Sequence, residues 1–285
     1  MRNGHLKSYA KINLALHVTG KKKLLHKIES IVSFVKLHDL IFIKKINSKN
    51  HQVLFNGKFS KNIKKKNTVQ KLLEILDQSN LLKNQKFEKK IKKNIPKEAG
   101  LGGGSMNAAT VLNFFIKRKI VNLNQIQIKK LCSLIGSDVI LGIKFSNAIL
   151  TSNNKIKKFS NLPKYYVLLV KPNFGCSTKK IYSDVKKFTK PKFNNPKKQM
   201  FSPNYLVCQN NALEKIAFLK YPRLKNIKLF LQNLNTPLFV RMTGSGSSVI
   251  AYYQYSKDCK LAKVQFQRKF KNCLLYTSDA ADDLL

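Results

Sequence analysis

Residues 9–18 place apolar side chains at every second position (Ala10, Ile12, Leu14, Leu16, Val18), with Lys11, Asn13 and His17 among those between. A period of two is that of a strand with one buried face. Residues 28–37 and 40–46 are two further strand candidates, and residues 87–95 form a short basic one. Gly20 with Lys21-Lys22-Lys23 makes the loop after the first strand, and Asn56-Gly57 is a hairpin-turn signal after Val53-Leu54-Phe55. The spacing becomes helical over 68–82, where Val69, Leu72, Leu73 and Leu76 share a face behind Asn67 or Thr68 as a cap. Residues 123–134 repeat it and end at Gly136. The densest apolar stretch, 165–170, predicts a buried strand. Residues 237–242 and 249–253 predict two more, and 211–218, 224–234 and 258–270 predict helices. Residues 186–198, rich in Lys, Asn and Pro, predict an exposed loop. Strands and helices mix without an internal repeat. A composition shift near 155–162 divides the chain into a domain of residues 1–157 and one of 158–274.

One segment breaks the periodic pattern. Gly100-Leu101-Gly102-Gly103-Gly104-Ser105 follows Pro96 and leads into the apolar run Val111, Leu112, Phe114, Phe115, Ile116. Consecutive glycines let the backbone turn tightly and bring its N–H groups near a ligand. Ser105 stands as the N-cap of a helix that starts at Met106 or Asn107 and runs to about residue 119. A glycine loop feeding a helix N-terminus offers free N–H groups and the positive dipole end, which suits a phosphate. A lone glycine triplet is more often a structural turn, and the missing Gly-Lys-Ser/Thr excludes a Walker A loop. The second glycine-rich turn, Thr243-Gly244-Ser245-Gly246-Ser247-Ser248, is ambiguous in the same way when taken alone.

Composition narrows the classes. At 285 residues and 43% apolar content the chain can build one large core or two small ones. No apolar run approaches the ~18 residues of a membrane span, and Met1-Arg2-Asn3-Gly4-His5 does not open a signal peptide. The expectation is a soluble, cytoplasmic protein with no membrane partner. The five cysteines form no CxxC pair and have no histidine at metal-ligand spacing, so free buried thiols are expected. The formal charge of +42 comes from lysines spread along nearly the whole chain, in company with many asparagines. Such a coat is a solvated surface rather than a specific nucleic-acid patch, but it concentrates polyanionic substrates such as nucleotides in a salt-dependent way. Acid is scarce: of 13 acidic residues, Asp279, Asp282 and Asp283 lie in the last seven positions, and Asp138 alone lies between Glu98 and Asp184. Residues 275–285, Lys-free and acidic, are set apart as a non-native tail.

Three segments in order resemble the GHMP kinases: Lys11-Ile12-Asn13-Leu14, the stretch 96–109, and Met242-Thr243-Gly244-Ser245-Gly246-Ser247. Within them, the chain is similar to the branch that phosphorylates a cytidine diphosphate sugar alcohol in non-mevalonate isoprenoid synthesis. That likeness rests on Ala10 to Leu14 with Val18-Thr19-Gly20, His26 followed by Glu29-Ser30, Asp39, Gly136-Ser137-Asp138-Val139, Lys171-Pro172 with Ser177-Thr178 and Tyr182, and Asn211-Ala212-Leu213-Glu214. It covers about residues 8–255. The resemblance implies a two-domain α+β fold with a ferredoxin-like C-terminal domain and an active site in the cleft between domains. It implies ATP and Mg²⁺ as cofactors, with Asp138 as base and Lys11 as the cation that steadies the transferred phosphoryl group. Pro96, Gly100, Leu101, Gly102, Gly103, Gly104 and Ser105 would hold ATP, with Ser105 as a Mg²⁺ contact and Gly244, Ser245 and Gly246 as the second loop. Asn13, His26, Thr178 and Tyr182 would face the cytidyl substrate, His26 on the cytosine edge and Tyr182 stacked on the ring. The enzyme would act as a monomer or homodimer on a small molecule. The chain departs from the family pattern at Leu24-Leu25, where Asp-Gly-Tyr precedes the histidine, at Ile140 in place of proline, and at Ser152-Asn153-Asn154 in place of a glycine turn. The alternatives are another GHMP small-molecule kinase of homoserine or mevalonate type, or a basic nucleic-acid-binding protein without kinase activity.

Overall fold

A computed structural model of the chain describes residues 5–22, 25–64, 66–234 and 236–280. Lys23 and Leu24 of the altered loop, and residues 281–285 of the acidic tail, lie outside the described residues. The fold forms two compact units. The first comprises Met1–Ala10, Leu37–Pro96 and Gly102–Phe145; the second comprises Lys11–Lys36, Lys97–Leu101 and Ser146–Leu285. The division expected at residue 157 is therefore not the one the fold makes. Its cause is two long strands, β1 (Leu6–Lys22) and β2 (Leu25–Ile46), each of which contributes residues to both units. β2 also fuses the two strands expected at 28–37 and 40–46, because Asp39 does not turn the chain.

In the first unit, β3 (Gln52–Asn56), α1 (Thr68–Gln78) and β4 (Lys86–Lys92) follow β2. β4 pairs antiparallel with the far half of β2, from Leu40↔Lys92 to Ile46↔Lys86, and parallel with β3. A parallel pair needs a crossover, which α1 supplies, so Asn56-Gly57 opens no hairpin. α1 begins as expected: the Asn67 side chain accepts from the N–H groups of Val69 and Gln70 at 3.0 Å each. Val69, Leu72, Leu73 and Leu76 pack with Ile41, Ile91 and Phe115 into one core. Two helices complete the unit, α2 (Gly103–Lys117) and α3 (Gln125–Ile135), the latter started by an Asn124–Gln127 capping box. Asp39, fully buried, accepts hydrogen bonds from Asn94 N (2.7 Å), Ile95 N (2.8 Å) and Asn107 Nδ2 (3.0 Å), and from the Lys93 ammonium. It thereby ties the chain that leaves β4 to the side of α2.

In the second unit, β5 (Ala148–Leu150) pairs with β2 at Ser30–Val32, and β6 (Ile156–Lys158) pairs with β5 where a boundary was expected. There follow β7 (Tyr165–Pro172), α4 (Thr178–Ser183), α5 (Pro203–Val207), α6 (Glu214–Lys220), α7 (Pro222–Gln232), β8 (Phe239–Met242), β9 (Val249–Tyr253), α8 (Ser256–Lys269) and β10 (Cys273–Ala280). The sheet order β10-β7-β9-β8, antiparallel throughout, is that of a ferredoxin-like βαββαβ unit. Its fourth strand takes in the first residues of the segment set apart as a tail: Leu275↔Val170 through Ala280↔Tyr165 are in register with β7. An edge strand is held by backbone hydrogen bonds, to which the missing lysines make no difference. Among the described residues no helix is long and apolar enough to cross a membrane. The cysteines are free; Cys132, Cys176 and Cys259 are buried as expected, whereas Cys208 is exposed and Cys273 half-buried.

One buried charge shows in stability. Lys89 is fully buried, with its ammonium on Phe87 O (3.0 Å) and His51 Nδ1 (3.2 Å) and near the Phe87 and Phe115 rings. Asp77 meets His51 (3.1 Å) and Lys86 (2.7 Å) beside it. Burial lowers the Lys89 pKa to about 7, with Asp77 opposing and Lys86 assisting. The unfolded chain then binds more protons than the fold between about pH 7 and the ordinary lysine value of about 10.4, so this group adds stability as pH rises through that window. Lys89→Met should therefore gain on the wild type most at pH 6–7 and least at pH 10, measured by urea midpoints. A pH-independent difference would refute the assignment.

Candidate active site

Two glycine turns of the second unit interlock. Gly100 has φ +73°, and a Cβ there would fall 1.9 Å from the Thr243 carbonyl oxygen. Gly244, at φ +54°, is pressed in return against Gly100 O, 2.9 Å from its would-be Cβ. Only glycine suits either place. Ser247 N donates to Glu98 O (3.1 Å) and Ser248 N to Ala99 O (3.2 Å). The Asn211 amide spans Met242 O (2.8 Å) and Gly244 O (2.7 Å), while its Oδ1 accepts from Leu213 N (2.9 Å). This use of Asn211 delays the helix expected from residue 211, which begins at Glu214. Thr178 Oγ1 and Ser245 Oγ lie 2.9 Å apart, which joins α4 to the second turn.

β1 meets these turns edge-on. Lys11 N donates to Leu101 O (3.0 Å) and Asn13 N to Thr243 Oγ1 (2.9 Å). The Thr243 hydroxyl in turn lies 3.2 Å from Gly100 O. Lys11 and Asn13 are both buried, so β1 is covered on its polar face as well as its apolar one. The Lys11 ammonium donates to Asn13 Oδ1 (2.8 Å), Asn13 Nδ2 to Ser30 Oγ (2.8 Å), and Ser30 Oγ to Ala15 O (2.6 Å). Lys11 thus has a fixed position set by β1 and β2.

In the first unit, α2 starts at Gly103, three residues before the expected start, with Gly102 as a left-handed cap at φ +65°. Ser105 is therefore a first-turn residue and not the N-cap: the left-handed glycine makes the turn that a capping side chain would otherwise stabilise. Gly103, Gly104 and Ser105 have no helical carbonyl available to their N–H groups, since the first helical bond is Met106 N to Gly102 O (2.9 Å). Pro96 is buried just ahead of the loop. A Cβ on Gly103 would meet Ile95 at 3.0 Å, and Gly104 O accepts from Thr68 Oγ1 (2.6 Å). Gly136 packs at 3.7 Å, by its would-be Cβ, from Ser105 Oγ, which brings Gly136-Ser137-Asp138 beside this first turn. Half-buried Asp138 opens a 3₁₀ turn, Val139–Ile143, clamped on α2 by Gly142, whose carbonyl accepts from Asn113 Nδ2 (3.1 Å).

His26 on β2 and Tyr182 on α4 bring their rings to 5.2 Å at 42°. Burial, and then the charge of Lys21, lower the His26 pKa, which favours the neutral imidazole. The expected residues thus fall into two sets. Lys11, Asn13, His26, Gly100, Leu101, Thr178, Tyr182, Gly244, Ser245 and Gly246 belong to the second unit, and Pro96, Gly102, Gly103, Gly104, Ser105 and Asp138 to the first. Sequence reasoning gave no role to Thr243, although its place beside Gly244 was visible. It gave none to Lys93, whose burial against Asp39 has no local signal.

The GHMP kinases N terminal domain matches residues 67–146, the span that holds α1, the glycine loop and Asp138. With two relatives 57% and 30% identical over 95% of the chain, that match makes the chain a GHMP kinase, an enzyme that phosphorylates an alcohol. The chain is 57% identical over 272 residues to the 4-diphosphocytidyl-2-C-methyl-D-erythritol kinase of Pelagibacter ubique, covering 95% of this chain and 97% of that one. It is 30% identical to the Clostridium beijerinckii protein of the same name, covering 95% and 98%. A solved 4-(cytidine 5'-diphospho)-2C-methyl-D-erythritol kinase shares the fold, with a TM-score of 0.77 at 20% identity over 97% of this chain and 98% of that one. The chain belongs to the 4-diphosphocytidyl-2-C-methyl-D-erythritol kinase family.

The interlock of the two turns is directly testable. Gly100→Ala should lower the urea midpoint and reduce kcat/KM at least ~10-fold, through the left-handed strain and the clash with Thr243. Gly104→Ala, whose would-be Cβ meets only the Thr68 side chain at 3.2–4.0 Å, should be milder on stability. Equal midpoints for wild type and Gly100→Ala would refute the interlock.

Proposed function

We propose that the chain transfers the γ-phosphoryl group of ATP to the free hydroxyl of 4-diphosphocytidyl-2-C-methyl-D-erythritol, in the cytoplasm. The 57% identity to a protein of that name supports the substrate, and the His26–Tyr182 pair is the feature of the site that carries the reading. A neutral imidazole beside an aromatic ring suits a cytosine, which offers both donor and acceptor groups on its edge and a π-face for stacking. Asn13 and Thr178 are the polar groups we assign to the rest of the substrate.

Phosphoryl transfer asks the protein for positioning and charge neutralisation more than for covalent chemistry. The N–H groups at the start of α2 and the backbone of the glycine loop from Gly100 to Ser105 take the ATP phosphates. Asp138 takes the proton from the attacking hydroxyl, and the Lys11 ammonium offsets negative charge on the transferred group. The stretch from residue 99 to 183 holds no other carboxylate that could serve as base. Mg²⁺ fits this set only as a nucleotide-borne ion. Among the described residues no three metal-ligating side chains cluster, so the triphosphate oxygens would supply most ligands and the Ser105 hydroxyl one. Its charge would neutralise the phosphates.

The test is a coupled assay of ADP release with and without the cytidyl substrate. ADP release should require that substrate. Asp138→Asn should lower kcat by roughly 10²–10⁴ while ATP affinity, measured by titration, is unchanged. A near-native kcat in that variant would remove Asp138 from the base role.

A further inference from the structure

We propose that Phe188 supplies a second aromatic wall to the nucleobase subsite at His26 and Tyr182. The inference rests on the cytidyl substrate proposed above and adds a specificity-determining residue to it.

Phe188 lies in the segment after α4, with its ring 6.4 Å from that of His26 at 52°. It is 48% exposed, while His26 and Tyr182 are half-buried. A single exposed apolar residue needs no explanation. A large ring left open to water beside the His26 ring, which itself packs on Tyr182, offers a π-face to a base. Bases of any kind stack on such faces.

The segment that carries Phe188 is held in place, contrary to what its Lys-, Asn- and Pro-rich composition suggests. Thr189, the next residue, donates to Val18 O from both its N–H (2.9 Å) and its hydroxyl (3.2 Å). Lys192 N and Phe193 N donate to the two carboxylate oxygens of Glu29 at 2.8 and 3.0 Å. Glu29 is fully buried and also meets His17 Nδ1 at 2.9 Å, and Phe193 stacks on the His17 ring at 4.8 Å. Asn194 Oδ1 accepts from Ser152 Oγ at 2.8 Å. Val18 and His17 lie on β1 and Glu29 on β2, so the same two strands fix both Phe188 and His26. A preformed ring costs little ordering entropy when a base binds.

The experiment compares wild type, Phe188→Ala, Phe188→Leu and Phe188→Tyr by steady-state kinetics, with cytidine 5'-diphosphate as a competitive probe. Phe188→Ala and Phe188→Leu should raise KM for the cytidyl substrate and the inhibition constant of the probe about 10-fold, a typical loss for one stacked base. Their kcat and KM for ATP should stay within about two-fold, and Phe188→Tyr should restore both affinities. A wild-type enzyme that turns over the cytidyl substrate, with Phe188→Ala keeping its KM, would overturn the role of Phe188 and leave the proposed function standing. Full restoration by leucine would overturn stacking. A wild type that neither turns over the substrate nor responds to the probe would overturn both readings.

Discussion

The Thr243 carbonyl oxygen occupies the place where any side chain at position 100 would begin. That single contact makes two distant turns one structure. Gly100 is left-handed because it must pass Thr243, and Gly244 because it must pass Gly100. Thr243 then uses its hydroxyl on Asn13 N, so β1 is registered against the same pair of turns. Lys11 owes its position to this register: its own N–H is bound to Leu101 O and its ammonium to Asn13. A constraint on backbone volume thereby fixes a charged group.

A second economy runs through the molecule. Few carboxylates are present, and several of the buried ones bind backbone N–H groups. Asp39 takes those of Asn94 and Ile95, Glu29 those of Lys192 and Phe193, and Glu214 that of Met242 at 2.7 Å. Each has a cationic or histidine partner as well: Lys93, His17 and Lys228 respectively. A buried carboxylate with this many donors is well satisfied, whereas loss of one partner would leave an uncompensated charge. In a chain of net charge +42 the scarce anions serve as internal fasteners, and the lysines coat the outside.

Much of the fold could be read from spacing. The face of α1, the Asn67 cap and the buried strand β7 follow from local periodicity and capping chemistry, which act within a few residues. What could not be read depends on distant partners. β2 runs unbroken through His38-Asp39 because Asp39 finds four donors from residues 93–107. α2 begins early because Gly102 can be left-handed, a choice that an N-cap signal at Ser105 obscures. β10 exists because β7 offers a free edge, whatever the composition of the pairing segment. The same limit applied to the site: the glycine loop and Asp138 stood out by residue type, whereas Phe188 lay in a segment whose composition announced only exposure.

The discontinuous units bear on how the chain is made. The first unit has all its segments once synthesis passes Phe145, so it can close while the remainder is still being added. Residues 11–36 emerge among the earliest but belong to the second unit, whose ferredoxin-like sheet comes last. These strands carry Lys11, Asn13 and His26; they pair with each other, but β5, which pairs with Ser30–Val32, arrives more than a hundred residues later. During that interval their apolar positions lack a core. The order of synthesis thus leaves the strands that carry Lys11, Asn13 and His26 waiting longest for their core.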